Sequence, residues 1–334
     1  MAEGGRLPYS APLLNRFGRT LRMRVASIGE CMMEMRHRSP SDLDLGYGGD
    51  TLNTAVYLAR LGPAVGIEVD YVTALGDDPY SDAMIAMWTS ERIGTGLVPR
   101  LKGRVPGLYV IRTDEKGERS FFYWRSAAAA RDMLAAPHGS KILAALPSYP
   151  WIYFSGITLS ILEEAPRRAL LDALGTARAG GSKIAFDPNF RPRGWPDPAA
   201  ARAAFTDALR LTDLALPSQS DEKLLFGDAD AEATAARMRA LGVGEIVVKD
   251  AEGPCLVVSG ESRWTVEGRR VAKPVDTTAA GDSFNAAYLA ARIAGMDPDS
   301  AARSGHALAA EVILHPGAVI PRAAMPPSET IFSR

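Results

Sequence analysis

The chain has 334 residues, of which 47% are hydrophobic and 23% charged, with 38 Lys+Arg against 39 Asp+Glu and a formal net charge of −1. That is the composition of a globular protein large enough for one big α/β domain or two ordinary ones, and it offers no basic excess for nucleic acid or an anionic membrane surface. Cys31 and Cys255 lie far apart and no CxxC occurs, which argues against a disulfide framework or a thiolate zinc site and fits a reducing cytoplasm.

Residues 1–22 contain Gly, Pro and Arg without a long apolar stretch. They read as a disordered extension rather than a secretory signal, with Met23 as a second candidate start. No apolar run reaches the length of a membrane span. Val25–Ile28 reads as a short buried strand that ends at Gly29-Glu30. Leu45 to Asp50 reads as a glycine-rich turn, and Thr51–Leu61 as a helix with Gly62 after its end. Val69–Leu75 is a second strand and Asp77–Ile93 a second helix. Leu108–Trp124, turning at Asp114–Glu118, reads as a β-hairpin with one aromatic face.

From about residue 140 strands and helices alternate. The strands are Trp151–Ser155, Lys183–Asp187, Leu214–Pro217, Glu245–Lys249 and Pro254–Ser259. The helices are Glu163–Ala179, Ala199–Arg210, Ala231–Leu241, Ser283–Ala294 and Ser300–Leu314. Alternation of this kind implies a mostly parallel sheet covered on both faces. The expectation is one α/β domain over 23–325. A small β lid is built from about 31–47 and 100–125, and residues 326–334 form a C-terminal tail.

Four stretches carry chemistry. In Asp276-Thr277-Thr278-Ala279-Ala280-Gly281-Asp282-Ser283-Phe284, small residues precede an alanine-rich helix. Free N–H groups at such a helix start bind anions, so Asp282 beside them makes sense as a base for a hydroxyl that attacks a phosphate. The plainer alternative is an Asp favoured by the helix dipole. In Gly46-Tyr47-Gly48-Gly49-Asp50-Thr51-Leu52-Asn53, a Gly-Gly pair admits a ligand to the backbone, and Asp50 and Asn53 suit hydroxyl groups. Taken alone, the stretch reads first as a helix cap, with Asp50 or Thr51 as N-cap after a glycine turn. Asp187-Pro188-Asn189-Phe190-Arg191 follows a core strand, and Val247-Val248-Lys249-Asp250-Ala251-Glu252-Gly253 is a strand and turn. No GxxxxGK[ST], GxGxxG or HExxH occurs, and the four histidines have no metal-ligand spacing.

The 276–284 nonamer closely resembles the C-terminal signature of the ribokinase-like (PfkB-type) carbohydrate kinases, and 46–55 resembles their N-terminal glycine-rich signature. The two occur in the family's order, more than two hundred residues apart. Within the family, Gly107-Leu108-Tyr109, Gly117-Glu118-Arg119 and Phe122 to Arg131 are similar to the lid hairpin of kinases that act on 2-dehydro-3-deoxy sugar acids. The resemblance runs from about Met23 to Met325.

It implies a three-layer α/β/α fold with a β lid, and transfer of the ATP γ-phosphoryl group to the terminal hydroxyl of 2-dehydro-3-deoxygluconate, with Mg²⁺ held largely through water. Asp282 would be the base, with the N–H groups of Ala279, Ala280, Gly281 and Asp282 as anion site. Gly48, Gly49, Asp50 and Asn53 would hold hydroxyls. Tyr109, Tyr123, Arg125 and Arg191 would hold the carboxylate end, Arg being suited to grip a planar carboxylate. Arg191 could instead hold the γ-phosphate. Phe121, Phe122 and Trp124 are read as lid packing and Arg193 as a surface residue.

Asp187 and Asn189 would face the phosphates and their metal. Ser218 and Asp221 stand where relatives carry Asn-x-x-Glu to order magnesium-bound water, a departure from the pattern; a helix cap is the competing reading. Lys249, Gly253 and His306 would line the nucleotide pocket, His306 being equally readable as a structural histidine. The resemblance also leaves room for a monovalent cation near the anion loop and for a homo-oligomer, dimer or higher, that pairs lids. The alternatives are a relative acting on fructose, ribose or 5-dehydro-2-deoxygluconate, and a silent binding protein that keeps the fold.

Overall fold

A computed structural model describes residues 22–39, 41–113, 119–251 and 253–333. The expected extension up to residue 21 and the hairpin turn at 114–118 lie outside them. Nine strands form the main sheet, in the order Ser262–Val266, Cys255–Ser259, Glu245–Val248, Leu214–Ala215, Lys183–Asp187, Trp151–Ser155, Met23–Ile28, Ile67–Val72, Ile93–Leu97. Cys255–Ser259 pairs antiparallel with both of its neighbours, and the seven strands from Glu245–Val248 to Ile93–Leu97 pair parallel.

Side chains along a strand alternate between faces, and here the alternation feeds two cores. Val25, Tyr153, Ala185, Val247 and Val257 enter one, with the helices Asp50–Val65, Ala280–Ile293 and Pro298–Val312. Ala26, Ile152, Phe154, Ile184, Phe186, Ile246 and Val248 enter the other, with Glu164–Ala179 and Pro198–Arg210. Burial on both faces explains why these strands read as continuous apolar runs. Asp-Pro pairs start several helices. Asp78, Asp197 and Asp297 each accept backbone N–H groups as N-caps, with Pro in the first helical turn, where no N–H is needed.

A separate four-stranded sheet, Leu43–Gly48, Met32–His37, Gly107–Thr113, Arg119–Trp124, forms the lid. Its register places Glu34, Tyr109 and Tyr123 in one row, and Leu45, Met35, Val110 and Phe122 in another on the opposite face.

Several expectations differ. Leu45 to Gly48 is strand, not turn, and the helix starts at Asp50 directly after Gly49. That helix runs past Gly62 and Pro63 to Val65, and ends where Gly66 takes a left-handed φ of 73°. Burial of its Thr51–Ala59 stretch, and of Leu61 and Gly62 beyond it, outweighs the weak local propensity of Gly-Pro. Leu75 leaves the main sheet and pairs, through Leu75–Gly76, with Arg100–Leu101, so the lid's second segment starts at Gly107. The stretch after Met325 is not a bare tail: it carries the helical turn Ser328–Ile331, and Ile331 is buried in the core.

Candidate active site

The sheet turns back on its own order between Met23–Ile28 and Trp151–Ser155. In open α/β sheets the crevice beyond the carboxyl ends of the strands, at such a reversal, is where ligands sit. Glu30, Asp187, Ser218 and Lys249 all lie at or just past the carboxyl ends of parallel strands. The start of the helix Ala280–Ile293 and the Gly48–Asp50 junction close on the same edge.

Ala279, with φ 61°, is the left-handed N-cap of that helix, and no side chain caps it. The N–H groups of the first turn lack intrahelical acceptors, so the terminus is open to an anion. Lys249 strengthens the site: its Nζ lies 3.7 Å from where a Cβ on Gly281 would project. The helix starts at Ala280 rather than Ser283, which places Gly281 and Asp282 in its first turn.

Asp282 accepts a 2.8 Å hydrogen bond from Asn53 Nδ2. Its carboxyl is pushed up to about 8, first by burial and next by the neighbouring Asp50 charge; the Asn53 bond and the Lys249 charge oppose the rise and Asp187 adds to it. A carboxylate poised near neutrality is what a general base requires. Neither Asp50 nor Thr51 is the helix cap. The cap position is Gly49, which has no side chain, and Asp50 accepts a 2.7 Å bond from Asn189 Nδ2. Asn189 holds a left-handed φ of 35° and its N–H donates to Asp187 Oδ1 at 3.1 Å. Gly49 is required sterically, since a Cβ there would overlap the Glu30 carbonyl oxygen.

Asp187 Oδ2 accepts from Asn285 Nδ2 at 2.6 Å and from Lys249 Nζ at 3.3 Å; Lys249 also donates to Asn285 Oδ1 at 2.8 Å. Asn285 reaches Tyr153 Oη at 3.1 Å. Arg191, half exposed, donates to Asp221 Oδ2 at 3.2 Å, and burial raises the Asp221 carboxyl. Asp187, Asn189 and Asp221 therefore share one corner, but among the described residues no cluster of three or more His, Cys, Asp and Glu forms a metal cage. Ser218 precedes the helix Gln219–Phe226 without a side-chain cap bond, and its backbone bridges to Lys249. Ser218 thus occupies the cap position without making the cap bond. Arg193 is exposed.

On the lid, Tyr109 donates to Glu34 Oε2 and its own ionisation is raised far by burial and that charge. Tyr123 lies 5.8 Å from Tyr109, ring to ring, and is 45% exposed. Arg125 is paired with Glu30. Phe121 packs against Tyr109, as expected of lid packing. Phe122 and Trp124 do not pack: they are 48% and 60% exposed, because the period-2 alternation turns them to the outer face. At the far end Gly253, Gly268 and His306 come together. A Cβ on Gly268 would lie 3.4 Å from His306 Nδ1 and 3.7 Å from the Gly253 carbonyl oxygen. His306 Nε2 lies 3.2 Å from the Val266 carbonyl oxygen, its ring meets Phe284 edge-on, and burial lowers its ionisation.

Residues 22–324 match the pfkB family carbohydrate kinase. The chain belongs to the pfkB family of carbohydrate kinases. It is 45% identical over 305 residues to the 2-dehydro-3-deoxygluconokinase of Dickeya dadantii, covering 90% of this chain and 98% of that protein. It is 43% identical over 306 residues to the enzyme of the same name from Escherichia coli, covering 91% and 99%. Among solved structures, the 2-dehydro-3-deoxygluconokinase of Thermotoga maritima superposes with a TM-score of 0.77 at 23% identity over 90% of this chain and 96% of that one. A putative ribokinase II of Escherichia coli in complex with ATP and Mg²⁺ superposes with a TM-score of 0.79 at 24% identity, covering 93% and 98%. Both likenesses establish the ribokinase-like fold.

Four members of the cleft were not singled out in the sequence: Glu30, Glu34, Tyr153 and Asn285. Glu30 and Glu34 are charged residues within the otherwise apolar Ile28–Met35 run, 1% and 7% exposed. A carboxylate at an otherwise core-facing position is the one signal that could have found them.

Proposed function

We propose that this kinase phosphorylates 2-dehydro-3-deoxy-D-gluconate at its terminal hydroxyl with ATP and Mg²⁺. The observation that carries the substrate is the near full-length identity of 43–45% to enzymes of that name. The site supports the chemistry. Asp282, ionising near 8, takes the proton from the terminal hydroxyl. That oxygen forms its bond to the γ-phosphorus as the bond from phosphorus to the β,γ-bridging oxygen breaks, and ADP leaves. The N–H groups at the start of the Ala280–Ile293 helix, of which that of Ala280 donates to the Thr277 carbonyl oxygen at 3.2 Å, and the Lys249 ammonium stabilise charge on the transferring group. Gly253, Gly268 and His306 provide the small and flat walls of a nucleotide pocket.

The residues also fit Mg²⁺. The Asp187 and Asp221 carboxylates are already engaged by cations and amides, and magnesium commonly keeps its waters and binds substrate phosphates rather than an all-protein cage. Asp187, Asn189 and Asp221 would meet it through water, and the ion would supply charge neutralisation at the phosphate oxygens. Gly48, Asp50, Asn53, Tyr109 and Tyr123 hold the sugar chain, Arg125 receives the carboxylate, and Arg191 stands at the phosphate side beside Asp221.

The outer lid face, with Leu43, Leu45, Phe122 and Trp124 between 47% and 60% exposed, supports a homo-oligomer that pairs lids. No described helix is long and apolar enough to cross a membrane.

The test is ADP release with Mg-ATP against 2-dehydro-3-deoxygluconate, its galactonate epimer, fructose and ribose. Turnover confined to the sugar acids is expected. Preference for fructose or ribose would overturn the substrate but not the role of Asp282.

A further inference from the structure

Glu30 sits where the first core strand leaves the sheet, and its side chain is 1% exposed. Its partner Arg125 follows the last lid strand and is 24% exposed. The pair therefore ties the core edge to the end of the lid, at the mouth of the cleft. The backbone is shaped around it. A Cβ on Gly107 would lie 2.8 Å from Glu30 Oε1 and 3.2 Å from Arg125 Cβ, and a Cβ on Gly49 would overlap the Glu30 carbonyl oxygen. Arg125 Nη2 donates to Glu30 Oε2, which leaves Glu30 Oε1 and Arg125 Nε buried without partners, as is Asn53 Oδ1.

Buried polar atoms without partners are uncommon and each calls for a physical account. Two of these are acceptors and one is a donor. Closed to solvent as they are, they mark a unit whose own pairing is incomplete. A salt bridge inserted for stability alone would be expected to satisfy its own atoms, because burying two charges is costly.

We infer that Glu30 is a positioning residue of the sugar site: its buried carboxylate fixes the Arg125 guanidinium, so that the remaining donors of Arg125 face the cleft at a set angle for the substrate carboxylate. The inference rests on the sugar-acid reading above. An unheld arginine loses side-chain freedom each time it binds a ligand, whereas a held one has lost it already. Glu30 acts through Arg125, so the two residues form one unit.

The test is a double-mutant cycle with Glu30→Gln, Arg125→Ala and the double variant, measured with Mg-ATP. For each protein, kcat and KM for 2-dehydro-3-deoxygluconate are read beside Tm. Glu30→Gln is expected to raise KM about ten-fold or more, the worth of one charge-assisted hydrogen bond, with kcat changed little. In the Arg125→Ala background it should add no further rise in KM, because coupled residues are non-additive. Glu30→Asp should recover part of the loss. A KM unchanged or lowered by Glu30→Gln, or a rise that persists in the Arg125→Ala background, overturns the inference. A lowered KM would mean that Glu30 competes with the substrate for Arg125. If Glu30→Gln does not fold, the same cycle run with Glu30→Asp decides the coupling. If wild type turns over fructose and not the sugar acid, the substrate reading fails, and the role of the Glu30–Arg125 pair toward a carboxylate falls with it.

Discussion

Replacing Asn53 with alanine should move the pH dependence of the reaction, not merely reduce its rate. The Asn53 amide donates to Asp282 at 2.8 Å, and this bond is the largest influence holding the Asp282 ionisation down. A hydrogen bond to a charged group contributes about 1.5–3 kcal/mol, and about 1.4 kcal/mol corresponds to one pH unit, so its loss raises the ionisation by about one to two pH units. With wild-type Asp282 ionising at about 8, about one molecule in ten carries the ionised base near pH 7. In Asn53→Ala that falls to about one in a hundred or one in a thousand. The assay is kcat/KM against pH, which reports ionisation in the free enzyme. The expected profile for wild type climbs with pH and levels off above about 8. For the variant the whole limb shifts to higher pH, the loss being about 10- to 100-fold near pH 7 and much smaller at alkaline pH. A uniform loss with an unmoved midpoint would refute the reasoning and leave Asn53 as a sugar ligand only.

Asp282→Asn should lower kcat by orders of magnitude with little change in sugar affinity, measured by steady-state kinetics and direct binding; near-normal turnover would remove Asp282 from the base role. The same substitution should stabilise the ligand-free protein at alkaline pH. The folded carboxyl ionises at about 8, well above the ordinary value of 3.8, so its contribution is fully present below the ordinary value and is lost as pH rises through about 8. Melting curves at acid and alkaline pH should show the Asn variant losing less stability with pH than wild type. Lys249→Met should cut kcat about 10²- to 10³-fold, as removal of a preorganised donor to a developing charge does, and an unchanged kcat would confine Lys249 to holding Asp187. Gly49→Ala sets a Cβ against the Glu30 backbone, where no side chain can swing away, and should cost about 1–3 kcal/mol or more, read as a lowered Tm.

The core strands were legible because they are buried on both faces. Trp151–Ser155 and Lys183–Asp187 appear with the bounds their apolar runs indicate. The helices expected from Asp77, Ala199 and Ser300 start at Pro79, Pro198 and Pro298, within two residues, each just after the Asp of an Asp-Pro pair. The lid was only half legible. Its hairpin carries β-formers on both sides of a polar turn, but Leu43–Gly48 contains two glycines, which signal a turn when read locally. Strand pairing with Met32–His37 and contact across the sheet with Tyr109 decide otherwise, and these are tertiary facts. Helix ends failed for a similar reason: Gly62-Pro63 is a stop signal in isolation, yet the turn up to Gly66 is held by the core beneath it.

Within the site, residues in small-residue motifs could be found because the requirement is local. An anion needs backbone N–H groups in a row, and a helix start with small residues supplies them. Side chains that act by being paired could not. Arg125 is a cation for a carboxylate by the family resemblance, and the structure shows it already held by Glu30, ninety-five residues earlier. Arg191 likewise meets Asp221, and Lys249 meets Asp187 and Asn285. The cleft thus carries few uncompensated charges before a ligand enters, although the chain offers three cations to it. That arrangement reconciles two demands. Charges grouped at a crevice must not repel one another into an open lid, yet in the proposed reaction they must be available to a phosphate and a carboxylate. Pairing each cation with a carboxylate meets both, because a ligand anion can share the cation without requiring its partner to leave.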